Sequence, residues 1–200
     1  MTRPTVHIFA KAPEPGRVKT RLARTVGDHR ACEIYRRLLK QITRRLAAAP
    51  DWLTVLTVTP DPSAQQEKLW PEPIARQPQG DGDLGDRMYR VLATATHDAP
   101  VVIVGSDIPD LAASHVSAAF LSLQDNHLVF GPAIDGGFWL VGAACPPPPP
   151  IFENVRWSSA FALSDTLKNA VGLKTVVLDD HLEDLDDAES LARLRDRIDD

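Results

Sequence analysis

Two periodicities alternate along this chain. Runs too short for a helix and rich in β-branched or aromatic residues, at 5–10, 52–58, 74–77, 101–104, 127–130 and 174–178, read as strands, and another strand follows the turn within 131–142. Between them apolar positions recur at helical spacing. Across 28–49, Ala31, Ile34, Tyr35, Leu38, Ile42 and Leu46 form one face, Arg36, Arg37, Arg44 and Arg45 the other, with Asp28 as the expected cap. A short helix is expected at 63–69, and one carrying Leu84, Met88, Val91, Leu92 and Ala95 follows. Others run from a Ser114 cap to Gln124, from Ser158 or Ser159 to a close at Gly172, and from Asp186, with Glu189 in capping-box position. Strand and helix in alternation imply an α/β fold. The segment 101–104, four apolar β-formers bounded by Gly105 and Pro109, is its strand buried on both faces.

The loops at the strand ends carry the polar chemistry. Asp107 lies just past the carboxyl end of 101–104, the edge where open parallel sheets bind ligands; it is either a metal or substrate ligand or an Asx turn stiffened by Pro109. The 11–21 loop after the first strand is shaped by Pro13, Pro15 and Gly16 and carries Lys11, Arg17, Lys19 and Arg21, a pattern suited to phosphate, with a solvated basic loop as the plain alternative. It is not a Walker A motif, because Lys19 and Thr20 lack the glycine before the lysine. In 79–88, Gly80, Gly82 and Gly85 would let backbone amides approach a nucleotide base or ribose, and Asp83 would serve as a cap. Asp81, Asp83 and Asp86 only superficially mimic a calcium loop, since the later glutamate is missing. Asp135 and Gly136 signal a hairpin, and Gly136 with Gly137 would also bare amides beside Asp135. Pro146 to Pro150 read as a stiff spacer, or as a docking element for a proline-binding module. Some of the acids from Asp179 to Asp187 must cap and solvate, and one could turn inward to complete a metal site with Asp107.

Composition narrows the function classes. Two hundred residues with 44% hydrophobic content fit a single domain spanning 1–200. A net charge of -5 argues against bulk nucleic-acid binding, and no run approaches a membrane span. Cys32 and Cys145 lack metal or disulfide spacing, the six histidines are scattered, and the N-terminus has no apolar signal core, so a reducing cytoplasm is expected. No Ser–His or Cys–His pair suggests a covalent nucleophile, which favours chemistry done by positioning and charge.

Four stretches in order, FAKAPEPGRVKTRLA, GDLGDRM, GSDIPDL and GPAIDGGFWLVG, resemble the uncharacterised transferase family of the GT-A (nucleotide-diphospho-sugar transferase) superfamily. Its relatives include the 2-phospholactate and molybdenum-cofactor guanylyltransferases, and its members are often labelled glycosyltransferases. The resemblance implies a three-layer α/β/α sandwich with a mostly parallel mixed sheet and a nucleotide over its carboxyl edge. It assigns the phosphate-binding loop to Lys11, Gly16, Arg17, Lys19 and Arg21, the divalent-metal aspartate to Asp107, and the acceptor-side turn to Asp135, Gly136 and Gly137. LEDLDDAESL at 182–191 resembles the family's closing pattern and keeps Asp184 and Asp186, leaving open which is the second ligand for Mg2+ or Mn2+. Lys19, Arg17 and Asp107 are then expected to act on the reacting phosphates. The nucleotide would contact Lys11, Gly16, Arg17, Lys19, Arg21, Gly82, Asp83 and Gly85, and a small-molecule acceptor would contact Asp135, Gly136, Gly137, Trp157 and Ser158. Nucleotidyl transfer from a nucleoside triphosphate to a phosphorylated acceptor, glycosyl transfer from a sugar nucleotide, and nucleotide binding without turnover all remain open.

Overall fold

The computed structural model describes residues 3–70 and 73–198. Its strands are β1 (Thr5–Lys11), β2 (Leu53–Thr59), β3 (Arg76–Pro78), β4 (Val101–Gly105), β5 (Leu128–Pro132), β6 (Phe138–Ala143) and β7 (Thr175–Val177). Its helices are α1 (Thr20–Val26), α2 (Asp28–Ala47), α3 (Leu84–Leu92), α4 (Ala113–Ser122), α5 (Ala162–Asn169) and α6 (Ala188–Leu194). The strands form one sheet in the order β3-β2-β1-β4-β6-β5-β7, parallel throughout except for β6, which runs antiparallel to both β4 and β5. This is the mixed, mostly parallel α/β sheet expected.

Side-chain alternation along β4 separates two cores. Val102 and Val104 point to one face and pack in a cluster with Leu38, Leu39 and Ile42 of α2, Leu22 of α1, Val116 of α4 and Leu194 of α6. Val101 and Ile103 point to the other, among Met88, Val91 and Leu92 of α3 and Phe130 of β5, with Leu163 and Leu167 of α5 packed against them. Helices therefore cover both faces, and the carboxyl ends of β1 and β4 emerge side by side at one rim, since the two strands are parallel and in register from Thr5 opposite Val101.

The long helical segment starts differently from its sequence pattern. Gly27, at φ 84°, separates α1 from α2, so Asp28 is the first residue of α2 rather than its cap. The expected helix at 63–69 is two short 3-10 turns, Asp61–Gln65 and Glu67–Leu69. Ser114 does not cap α4; the His115 ring accepts from the Ala112 N–H at 3.1 Å instead. Ser158 and Ser159 precede α5 without capping it, Phe161 standing at the cap position. At α6 the cap is Asp187, not Asp186, and it pairs with Ser190 rather than Glu189. Each of these ends offers a residue type able to cap, but only at α6 does a neighbouring side chain of equal ability, Asp187, take the amide; α2 and α5 start with no side-chain cap at all. The proline run is no spacer either: Pro149–Phe152 coils into a 3-10 turn that buries Ile151 and Phe152 against α3 and α5.

Candidate active site

The first loop leaves β1 under restraint. Lys11, the last residue of β1, donates its N–H to the Tyr35 hydroxyl at 3.1 Å and accepts from it at 3.2 Å, while Arg36 donates to the Pro13 carbonyl at 2.8 and 3.2 Å. A turn bonds Arg17 N–H to the Glu14 carbonyl at 3.0 Å, with Gly16 at φ 75°, a conformation open to glycine at little cost. Val18 is buried and anchors the far end. Lys19 then adopts the left-handed conformation, φ 48° and ψ 45°, immediately before α1. For a non-glycine residue that costs on the order of 1 kcal/mol, and it sends the ammonium inward.

The Lys19 Nζ lies 2.7 Å from Asp107 Oδ2 and 2.9 Å from Asp186 Oδ1, with its side chain only 7% exposed. Burial alone would lower its pKa, but the charges of Asp107 and Asp186, and their hydrogen bonds, prevail and hold it above its ordinary value. Arg21 reaches the other oxygen of Asp186 at 3.2 Å. The closing segment arrives by backbone bonds. Ile134 N–H meets the Leu182 carbonyl at 3.1 Å, and Leu185 N–H donates to the Asp107 carbonyl at 2.9 Å. Leu185 is fully buried, and its neighbours Asp184 and Asp186 both bring a carboxylate oxygen close to Asp107.

One carboxylate oxygen from each of Asp107, Asp184 and Asp186 falls within 4.8 Å of the others. Burial, followed by the charges of Asp107 and Asp186, lifts the Asp184 pKa to about 6 in spite of Lys19. Three close carboxylates against the Lys19 ammonium and the Arg21 guanidinium remain short of positive charge. Hard oxygen donors at this spacing suit Mg2+ or Mn2+, whose octahedral shells place opposite oxygens about 4.2 Å apart, twice the metal–oxygen distance. The residues therefore fit such an ion.

Beside the trio lies a groove of about 470 Å³ edged by Lys11, Arg17, Lys19, Arg21 and Arg87 and floored by Gly105 and Ser106. Tyr35 supports this floor: its hydroxyl lies 3.0 Å from Ser106 Oγ, and burial pushes its pKa up to about 12. Sequence reading placed Tyr35 on the packing face and missed this role, since nothing in helical spacing distinguishes a buried phenol that bonds from one that only packs. It also missed Arg87, three residues after Leu84 on the exposed side of α3, and Gln79, whose buried amide bonds to the Thr57 carbonyl at 3.0 Å.

The expected nucleotide residues divide. Lys11, Arg17, Lys19 and Arg21 line the groove, whereas Gly82, Asp83 and Gly85 do not. Asp83 forms a reciprocal capping box with Asp86 at 2.9 and 3.0 Å, Gly82 lies at φ 95° within that turn, and Gly85 presses against Phe152 and Trp157. Gly16 shapes the loop beside Asp28. A second, smaller cavity of about 210 Å³ is bounded by Asp135, Gly137, Trp157 and Ser158 and shares Phe9, Leu84 and Gly105 with the groove. Gly136 turns outside it, at φ 88° with a Cβ position 2.4 Å from the Ala160 carbonyl, and thereby brings the segment carrying Trp157 and Ser158 against the β5–β6 turn.

An α/β sheet of this order, with a groove at its carboxyl edge, belongs to the nucleotide-diphospho-sugar transferase fold. A crystal structure of a Desulfovibrio desulfuricans G20 protein, provisionally assigned as a nucleotide-diphospho-sugar transferase, superimposes with a TM-score of 0.86 at 30% identity, over 97% of this chain and 87% of that one. The chain belongs to the family described as "Uncharacterized protein conserved in bacteria (DUF2064)", which it matches over residues 42–159. Other solved structures share the fold at lower identity. A cytidylyltransferase from Leptospira borgpetersenii aligns with a TM-score of 0.60 and 13% identity, over 98% of this chain and 86% of its own. Rv0371c of Mycobacterium tuberculosis H37Rv, solved with manganese, aligns at 0.53 and 14%, over 99% of both chains. No curated protein matches the sequence.

Proposed function

We propose that this protein is a Mg2+- or Mn2+-assisted nucleotidyltransferase, taking a nucleoside triphosphate and passing its nucleotidyl group to a small acceptor with release of pyrophosphate. The observation that carries this reading is the meeting of Lys19 with Asp107 and Asp186 at the head of a groove whose rim holds Lys11, Arg17, Arg21 and Arg87. A triphosphate carries about four negative charges at neutral pH, and such a rim supplies matching cations at short range. Asp107, Asp184 and Asp186 would hold the metal, which when bound neutralises and polarises the phosphate under attack. Lys19, fixed between two carboxylates, would keep them oriented and offer its charge to the same phosphate. Lys11, Arg17 and Arg21 would stabilise the departing pyrophosphate. No side chain need form a covalent intermediate. The fold shared with a cytidylyltransferase and with a manganese complex supports the reading.

Glycosyl transfer from a nucleoside diphosphate sugar is the second reading. It draws on the 30% identical neighbour assigned to sugar-nucleotide chemistry and on the apolar cavity beside the groove. The product separates the two: pyrophosphate for the first, a nucleoside diphosphate for the second. Asp107→Ala and Lys19→Ala should each lower turnover by about two orders of magnitude or more while leaving the circular dichroism spectrum unchanged. Unaltered turnover in Asp107→Ala would refute the assignment.

A further inference from the structure

We infer that the acceptor is an alcohol with a ring-sized apolar body, uncharged or cationic, rather than a phosphorylated molecule. This rests on the transferase reading above and replaces the phosphorylated acceptor expected from sequence. The 210 Å³ cavity meets the nucleotide groove at Phe9, Leu84 and Gly105, so what it holds faces the donor. Its walls include Met88, Phe138 and Trp157. These rings are braced: Phe138 stands edge-on to Trp157 at 6.2 Å and to Phe130 at 5.5 Å, and Phe152 backs Trp157 at 5.8 Å. A flat apolar body fits such a rigid wall without ordering it anew.

Charge decides the rest. Among the described residues, no lysine, arginine or histidine lines the cavity. The cation next to it in sequence, Arg156, is turned away. It donates to both oxygens of Asp165 at 2.7 and 2.9 Å and lies 3.9 Å over the Phe161 ring. Lys168 is drawn to the same carboxylate at 3.1 Å. Among the described residues the only charged group on the cavity wall is Asp135, which accepts the Gly137 N–H on Oδ1 at 2.9 Å; its second carboxylate oxygen would accept from a hydroxyl donor. A phosphate here would meet a carboxylate and aromatic walls with no counter-charge. An alcohol meets an acceptor for its proton. In the transfer, the alcohol oxygen forms a bond to the donor's α-phosphorus, the bond from that phosphorus to pyrophosphate breaks, its electron pair leaves with pyrophosphate, and the hydroxyl proton passes to the Asp135 carboxylate.

The test uses three probes of one shape, benzyl alcohol, benzylamine and benzyl phosphate, bound to the full chain without nucleotide and followed by tryptophan fluorescence and ligand-observed NMR. Benzyl alcohol and benzylamine should bind, and benzyl phosphate should bind about tenfold more weakly or worse. Asp135→Asn should weaken benzylamine by about tenfold and narrow the gap between alcohol and phosphate, and Trp157→Leu should weaken every probe. Should Trp157→Leu fail to fold, the Asp135→Asn comparison stands alone. Benzyl phosphate binding as tightly as benzyl alcohol, or an alcohol–phosphate gap of unchanged size in Asp135→Asn, overturns the inference. Nucleotide binding by the wild-type protein is read separately by thermal shift, so a failure there strikes the transferase reading and leaves the probe order as a measure of the cavity.

Discussion

Lys19 holds its place against two opposing costs, a left-handed backbone and a buried ammonium, and both are offset by Asp107 and Asp186 at hydrogen-bond distance. Both residues were singled out in the sequence by position, one in a basic loop after the first strand and one past the end of the central strand. Their direct contact across 88 positions was not legible, because side-chain direction depends on a backbone conformation at Lys19 that residue type does not announce. Another buried titratable group sets a pH response. Burial lowers the pKa of His7 to about 4, and its Nδ1 lies 2.8 Å from Thr57 Oγ1. The folded protein keeps His7 neutral while the unfolded chain protonates it near 6.5, so its contribution is full above pH 6.5 and is lost as pH falls toward 4. Asp184, raised to about 6, works with the opposite sign, favouring the fold below its unfolded value of 3.8 and losing that as pH rises through 6. Wild-type stability should therefore change little across this window. Urea titrations should show His7→Asn stabilised relative to wild type on going from pH 7 to pH 4, by up to about 3 kcal/mol. Equal pH slopes for the two proteins would contradict the assignment.

Among the elements, α3 carries a packing role that its sequence does not announce. The glycines at its start suggest backbone approach to a nucleotide, and a Cβ on Gly85 would sit 2.8 Å from Phe152 Cβ and 3.1 Å from Trp157 Cζ2. Gly85 lets α3 pack against the 3-10 turn at Pro149–Phe152 and so sets the wall of the 210 Å³ cavity. Gly85→Ala should cost about 1–3 kcal/mol in chemical denaturation, the usual penalty for overpacking, and should weaken acceptor probes more than nucleotide. A variant as stable as wild type would show that the contact yields freely. Periodicity could not reveal this, because helical spacing reports which face is buried and not what lies against it. It did locate the strands and the long α2, where ten buried positions repeat along one face. It left most of α1 unassigned between the 11–21 loop and the helix from Asp28, since seven residues are too few for a period to emerge.

At the scale of the molecule, the sheet order and its one antiparallel strand bring the ends of β1 and β4 and the closing acids to a single rim. The α/β class followed from alternation alone, while the placement of the acids came with the resemblance and strand order only with the coordinates. Parallel pairing connects segments about fifty or a hundred positions apart, and composition carries no trace of which neighbours meet. The central claim is that this rim assembles a metal–nucleotide site from Asp107, Asp184 and Asp186. Its most direct measurement is Mn2+ binding followed by electron paramagnetic resonance, with and without a nucleoside triphosphate, in wild type, Asp107→Ala and Asp184→Asn. The account predicts saturable binding by wild type that tightens when the nucleotide is present, and a loss of about tenfold or more in affinity in each variant. Mn2+ affinity unchanged by Asp107→Ala would contradict it.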